Sequence, residues 1–436
     1  MIKQIPLSNN SSSFYEMFLK MRPPTADPVS KYGGIKPRLP ASDLIAGLAW
    51  HVIQPGGTYA SHVNTLTGEQ LSESALSERR QSLGTIPWLD ALVAFLRPVA
   101  NQYLHPHAFY KELRLVGVDG TTLSVANTPP MNATAKKTKS RRGKAAFFRI
   151  GCAAAFELGT HCPLSVRIGE NEESEGELAA GVVEIFTEGD LLIGDRYYGN
   201  GKWVVRFMKI PGSPFFMVRV QERLSAATIQ MLSDGSRLVK IKDPDTGADI
   251  IVRQIKAKVR RAGKKWVKIR FWTNLLDHKR YPAKELITLY AMRWEQEIAF
   301  REIKEHLHGS HLLLSHTRIT AVQEICALFM AQAVIASIRS DVACRFDIPV
   351  MQVSFARTLD MCRNLCWLLS IAHNILSAKQ INEITELAYQ ELTKQQSKRR
   401  RKRSCPRKVR QPVDKWPRLM KNSYDKGDFE YDIRKS

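Results

Sequence analysis

Apolar positions recur every three or four residues through LPASDLIAGLAWHVI (39–53), LSESALSERRQSLG (71–84) and PWLDALVAFLRPVANQYL (87–104), each run broken by Gly or Pro. That period predicts short helices, so the first part of the chain reads as helical after a polar, Pro-rich opening. From about residue 113 the pattern changes. LRLVGVDGTTLSV (113–125), FRIGCAAAFEL (148–158) and PLSVRIG (163–169) read as strands, and a helix over about 174–188 leads to the buried strand DLLIGD (190–195). GNGKWVVRFMK (199–209) predicts another helix, after which FFMVRV, RLVKIK, DIIVRQIKAKV and WVKIRFWT between 214 and 273 are strand-like again, with RRAGKK (260–265) as a hairpin turn. Helical patterns then continue to about 393, and no repeat is evident. The most apolar run, ICALFMAQAVIASI (325–338), is only fourteen residues long and contains Gln332, which predicts a core helix rather than a bilayer span.

One segment does not fit a simple core helix. YAMRWEQEIAFREIK (290–304) is rich in charged and aromatic residues. On a continuous α-helix Tyr290, Arg293, Glu297 and Lys304 would share an arc of about 60°. Ile287, Ala291, Trp294 and Ile298 would form an apolar stripe on one flank, with Leu289, Met292, Phe300 and Ile303 on the other. The expectation is a helix wedged into a core, with a polar strip that sets a carboxylate among cations.

Composition sharpens this picture. With 436 residues and 44% hydrophobic content the chain can bury a substantial core in two or three domains. A formal charge of +23 points to a polyanionic partner, nucleic acid before an anionic membrane surface. The basic residues cluster in Lys136–Lys144, Lys256–Lys268 and Lys394–Arg410. The last run carries ten and no acid, so removing it leaves 23 − 10 = +13 on the rest of the chain. Seven cysteines without a CxxC pair, and no apolar signal core at the start, fit a reducing cytoplasm. Cys362 and Cys366, one turn apart, read as buried small residues rather than metal ligands.

Two aspartates stand at strand ends, where a sheet fixes the backbone and leaves the side chain accessible: Asp119 in LRLVGVD and Asp195 in LLIGD. Asp190 precedes its strand and belongs at the opposite edge. With Glu297 the pair forms a trio spaced by 195 − 119 = 76 and 297 − 195 = 102 residues. Converging carboxylates repel unless a cation sits among them. Oxygen-only donors select Mg²⁺ or Mn²⁺, and two such ions about 3.5–4 Å apart perform phosphodiester chemistry.

The spacing Tyr290, Arg293, Glu297, Lys304 resembles the Y-x2-R-x3-E-x6-K signature of insertion-sequence-4-type bacterial DDE transposases. VDGTTL (118–123) and GDRYYG (194–199) resemble the surroundings of that family's first and second aspartates. The resemblance covers about 113–310, with Tyr197 standing where many relatives have Gly. It implies an α/β fold: an RNase H-like mixed sheet flanked by helices, with a β-rich insertion, a helical N-terminal domain and a helical C-terminal region. The corresponding division is a helical N-terminal domain at 1–107, a catalytic domain at 108–335 interrupted by the insertion at 205–280, C-terminal helices at 336–393, and a basic, mobile tail at 394–436. The N-terminal helices would be a DNA-binding module, although a helical lid fits the same residues. Asp119, Asp195 and Glu297 would hold two Mg²⁺ or Mn²⁺ ions. Tyr290, Arg293 and Lys304 would grip DNA phosphates, with Arg301 one turn beyond Glu297 as a further candidate. In the basic hairpin Arg260, Arg261, Lys264, Lys265 and Trp266 are DNA-binding candidates, Trp266 as a stacking platform for an unpaired base; Trp272 reads as core.

The implied activity is cut-and-paste transposition: cleavage at terminal inverted repeats, a hairpin at the transposon end, and strand transfer to target DNA. A homodimer in the synaptic complex, a bacterial cytoplasmic, nucleoid-associated location and no membrane partner go with it. A nuclease of the same fold without strand transfer, and an inactive DNA-binding derivative, remain as alternatives. HLHGSH (306–311) with His316 reads as surface and capping histidines.

Overall fold

The computed structural model describes residues 39–134, 139–140, 143–144, 147–169, 173–221, 223–261, 266–309, 312–372, 375–394, 396 and 429–433. In chain order the elements are α1 (Ala41–Ile53), α2 (Tyr59–Thr67), α3 (Glu73–Leu83), α4 (Ile86–Phe95), β1 (Phe109–Tyr110), β2 (Leu113–Val125), α5 (Pro129–Thr134), β3 (Lys139–Ser140), β4 (Gly143–Lys144), β5 (Phe148–Glu157), β6 (Cys162–Ile168) and α6 (Glu175–Val183). They continue with β7 (Asp190–Gly194), α7 (Gly201–Met208), β8 (Phe215–Arg219), β9 (Ala227–Met231), β10 (Arg237–Lys242), β11 (Asp249–Arg261), β12 (Val267–Thr273), α8 (Ala283–Leu289), α9 (Arg293–Arg301), α10 (Arg318–Arg345), α11 (Phe355–Ala372), α12 (Ala378–Lys394) and β13 (Phe429–Ile433). Two compact units result. One comprises residues to Ala108, Asp119–Val182 and Glu295–Gln396; the other comprises Phe109–Val118, Val183–Trp294 and the residues from Ser397.

The first unit is organised by α10. Its side chains are buried around the whole circumference, among them Val322, Ile325, Phe329, Met330 and Ile335, the pattern of a helix enclosed on all sides. Thr317 caps its start by accepting the Thr320 amide, and α1, α4 and β6 pack against it. The helix is 28 residues long, twice the run predicted from apolarity. Its length and composition would suffice to cross a bilayer, yet 94% of its most apolar window is buried inside the protein. Strand β5 lies between β6 and β2, and β5 and β6 form an antiparallel hairpin. The turn between them is tight: a Cβ on Gly159 would collide with the Ala108 backbone.

The second unit holds a mixed sheet flanked by helices. The first half of β2 runs parallel to β7, β7 runs parallel to β8, and β8 continues antiparallel into β12, β11, β10 and β9. This is the mixed α/β architecture expected, with the strand-rich segment after β8 where the insertion was predicted. Buried Arg253 ties that segment together, donating to Ser236 Oγ and to the carbonyls of Leu275 and Tyr281 and pairing with Asp234. A guanidinium taken out of water needs that full set of acceptors.

At its far end the chain departs from the expectation of a tail without structure. Phe429–Ile433 pairs antiparallel with β11, and the register sets Glu430 opposite Arg260 and Asp432 opposite Lys258.

Candidate active site

Strand β2 supplies Asp119, part-exposed, whose Oδ1 accepts the Gly120 amide at 2.8 Å. A Cβ on Gly120 would meet the Glu175 side chain of α6, which would have to swing aside. Asp195 follows β7 directly, and its Oδ1 accepts the Tyr197 amide at 2.7 Å, the local turn that a short acidic side chain makes. Tyr197 therefore fits where many relatives have Gly. The chain then needs a glycine two residues later, since a Cβ on Gly199 would run into the Arg219 carbonyl. Tyr198 between them is wholly buried against Trp203.

Asp190 has a different task. It opens β7, is 5% exposed, pairs with Arg114 at 3.1 Å and accepts the Thr187 amide at 3.0 Å. Its partner strand explains the spacing of the other two aspartates. Arg114 stands opposite Asp190 and Gly117 opposite Ile193, an offset of 190 − 114 = 76 residues. Asp119 and Asp195 differ by the same 76, each two residues past the last β2–β7 pair on its strand.

The signature segment is not the continuous α-helix expected. Helix α8 gives way to a 3₁₀ turn at Tyr290–Met292, α9 follows, and Glu302–Leu307 is a π-helix, marked by the His308 amide reaching the Ile303 carbonyl. The two changes of pitch break the single 60° arc. One expected flank buries only in part: Ile287 is buried, but Ala291 and Trp294 are exposed. The core-facing side carries Phe300 and Ile303 of the other expected flank, together with Gln296, Ala299 and Glu302.

Within this segment Glu297 is exposed. Tyr290 is half-buried against Phe271, with ring centroids 4.5 Å apart, and its hydroxyl donates to the Gly194 carbonyl at 3.3 Å. Burial, opposed by Arg293 and reinforced by the Asp195 charge, pushes its pKa up to about 12. Arg293 lies over the Trp294 ring at 4.9 Å. Arg301 is exposed and faces Glu305 at 3.9 Å, a surface pair of little energetic weight. Lys304 is half-buried beside Cys152, and burial lowers its pKa.

Sequence reasoning missed a charged cluster beneath α9. His161, in the β5–β6 turn, is wholly buried; its Nδ1 meets Glu302 at 2.8 Å and its Nε2 meets Glu295 at 2.9 Å. Arg339 approaches the other Glu302 oxygen at 3.4 Å, and Gln332 donates to both Glu302 and the His161 carbonyl. Burial disfavours the imidazolium, but the Glu302 charge and the two carboxylate hydrogen bonds outweigh it and raise the His161 pKa. Burial likewise disfavours the Glu302 carboxylate, yet His161 and Arg339 hold its pKa at about 2. The only sequence signal was polar residues at core-facing positions, and it named no partner.

Of the other candidates, Arg260 stacks on exposed Trp266 at 4.7 Å, while Trp272 is buried and donates to Gln254. Arg261 ends β11; Lys264 and Lys265 fall outside the described residues. Cys362 and Cys366 are buried, and their thiol pKa values are raised by that burial. His306 is exposed beside Phe355. Among the described residues no group of three His, Cys, Asp or Glu side chains is placed to hold a metal ion. The donor chemistry of Asp119, Asp195 and Glu297, carboxylate oxygen only, fits a hard divalent cation.

Strand-end aspartates on a mixed α/β framework, with a glutamate on a later helix, belong to a known class, and the chain is a member of it: the sequence model of the transposase DDE domain family matches residues 111–333. One similar protein is the transposase InsG for insertion sequence element IS4 of Escherichia coli strain K12, 26% identical over 272 residues. The match covers 60% of each chain, less than two thirds of that relative. A solved piggyBac transposase synaptic complex with hairpin DNA is 10% identical with a TM-score of 0.39, covering 86% of this chain and 81% of that one, too slight a likeness to argue from.

Proposed function

We propose that this chain is a cut-and-paste DNA transposase that cleaves at the terminal inverted repeats of an insertion sequence and joins the freed 3′ ends to target DNA. What supports the reading is the transposase DDE domain match over residues 111–333, together with a β2–β7 register whose 76-residue offset is also the spacing of Asp119 and Asp195. Asp119, Asp195 and Glu297 would hold two Mg²⁺ or Mn²⁺ ions. Bound there, the ions would activate the attacking oxygen and stabilise the leaving one. Arg293, Arg301 and Lys304 would supply cations for DNA phosphates, Arg as a fork and Lys as a point charge. Tyr290 anchors the strand end before Asp195. Arg260, Arg261 and Trp266, with Lys264 and Lys265 between them in the sequence, would contact a displaced strand and its bases. The domains are read as a helical, DNA-binding part at 1–107, the catalytic domain at 108–335 with its insertion at 205–280, helices at 336–393 and a basic tail from 394. Two ends must be processed together, so a homodimer on DNA is part of the reading, as is a place at the bacterial nucleoid in the cytoplasm.

Purified chain incubated with labelled duplex ends, target DNA and Mg²⁺ tests this. Strand joining is expected, and Asp119→Asn, Asp195→Asn and Glu297→Gln should each abolish cleavage while DNA binding persists, because an amide cannot supply the charge that holds a divalent ion. Cutting without joining would leave a nuclease, and binding alone a DNA-binding derivative.

A further inference from the structure

Of the three proposed metal ligands only Glu297 sits on a helix, α9, so the rotation and register of that helix must be set by what lies beneath it. Its buried side is tied down at three points. Gln296 donates to the Ala154 carbonyl of β5 at 3.1 Å. Glu295 and Glu302, two residues before and five after Glu297, both accept from His161. With both ring nitrogens facing carboxylate oxygens, the geometry favours an imidazolium that donates to both.

His161 reaches this position at a conformational expense. Its φ is +63°, the left-handed region that a residue with a Cβ enters only when its surroundings impose it. The turn has no side-chain freedom at Gly159 either, because the Ala108 backbone fills that space. The cluster sets two carboxylates against one imidazolium and one guanidinium, with Arg339 also donating to the Val353 carbonyl at 3.0 Å. Glu302 is also the first residue of the π-helical segment. A π-turn shifts the register of everything after it, and the bonds from His161, Gln332 and Arg339 fix the residue at which the shift begins.

We propose that His161 is a positioning residue: by bridging Glu295 and Glu302 from a left-handed turn, it sets the rotation of α9 and so the direction in which Glu297 presents its carboxylate. The inference rests on the reading of Glu297 as a metal ligand. A purely structural staple would stabilise the unit without touching metal affinity, and that difference is measurable.

The test uses the full chain and Mn²⁺, with free Mn²⁺ counted from its electron paramagnetic resonance signal and folding followed by circular dichroism. His161→Asn keeps a residue type that tolerates left-handed backbone but cannot bridge two carboxylates. It should melt cooperatively, yet bind Mn²⁺ about tenfold more weakly, the scale on which supporting residues act on metal sites. Glu295→Gln removes only one arm of the bridge and decides the matter if the asparagine variant does not fold; it too should weaken Mn²⁺ binding. Glu297→Gln should bind Mn²⁺ most weakly of all. A folded His161→Asn or Glu295→Gln chain with wild-type Mn²⁺ affinity, beside a Glu297→Gln chain that has lost it, overturns the positioning role and leaves the ligand reading standing. Wild-type affinity in Glu297→Gln overturns the ligand reading and the inference with it.

Discussion

The Tyr290 hydroxyl donates to the carbonyl oxygen of Gly194, the residue immediately before Asp195. A tyrosine expected to grip phosphate therefore also holds the strand end on which an aspartate of the proposed site is mounted. The two roles separate in Tyr290→Phe, which keeps the ring against Phe271 and removes only the hydroxyl. Losing one such bond should change stability by about 0.5–1.5 kcal/mol. If the hydroxyl orients the Asp195 turn, cleavage at saturating DNA should slow about tenfold with DNA affinity unchanged. A fall in affinity at an unchanged rate would mean that binding phosphate is its task.

Asp190 and Asp195 should respond in opposite ways to the same substitution. Asp190 is buried and paired with Arg114, so Asp190→Asn should lower stability by about 1–3 kcal/mol, the scale for weakening a buried charged hydrogen bond. Asp195→Asn should melt near wild type and abolish cleavage. Denaturant unfolding and a cleavage assay run on both variants would reveal the reverse pattern, which would mean the two aspartates have been assigned the wrong way round.

Arg293 and Arg280 form a similar comparison. Arg280 pairs with Glu112 on the surface, both side chains more than half exposed, so Arg280→Ala should change stability by about 1 kcal/mol or less and leave cleavage alone. Arg293→Ala should fold normally and bind Mn²⁺, yet process transposon ends at least about tenfold more slowly, since a misplacement of about 1 Å can slow a reaction a hundredfold. Lys304→Ala should weaken retention of the cleaved end. Equal, near-wild-type rates for the two arginine variants would leave the charged strip as mere surface.

What was legible in the sequence, and what was not, follows from range. Strands such as β2, β5 and β7 are short apolar runs bounded by turn residues, and their pattern is local. The match of 76 residues between the aspartate spacing and the strand register became meaningful only once β2 was paired with β7. Periodicity could not foresee that the segment from Tyr290 would pass through three helical pitches, because a 3₁₀ or π turn is imposed by tertiary partners. Here those include His161, 141 residues before Glu302. The strand at Phe429–Ile433 was hidden for another reason: five residues after a long basic run carry too little apolar pattern to announce a partner in β11.

The buried cluster makes stability depend on pH from both sides. Glu302, held at about 2 against an ordinary 4.5, contributes stability that is present above its unfolded value and lost as pH falls toward 2. His161, raised above 6.5, contributes stability that is complete below that value and lost as pH rises through its folded pKa. Glu295, Glu302 and Arg339 are the charged groups that face the ring. Wild type should therefore exceed His161→Asn most clearly between about pH 4.5 and 6.5, and the gap in melting temperature should narrow as pH rises beyond that. A gap that stays constant to pH 9 would mean the imidazole is not charged in the folded protein.

The basic run Lys394–Arg410 makes the last prediction, and the far strand dictates how to test it. Ten cations without an acid should bind phosphates with no sequence preference and with a strength that falls steeply with salt. Truncation at Lys394 would also delete Phe429–Ile433 and unpair Ala257–Arg261 of β11, so weaker binding would confuse charge with damage to the sheet that carries Arg260 and Trp266. Replacing the ten with Ser and Gln keeps the chain length and the strand. Every cation that neutralises a phosphate of duplex DNA steepens the fall of log affinity with log salt by about 0.9, so this variant should bind with a distinctly shallower slope at an unchanged melting temperature. An unchanged slope would assign the salt dependence to the folded body, which keeps a formal charge of 23 − 10 = +13 without the run.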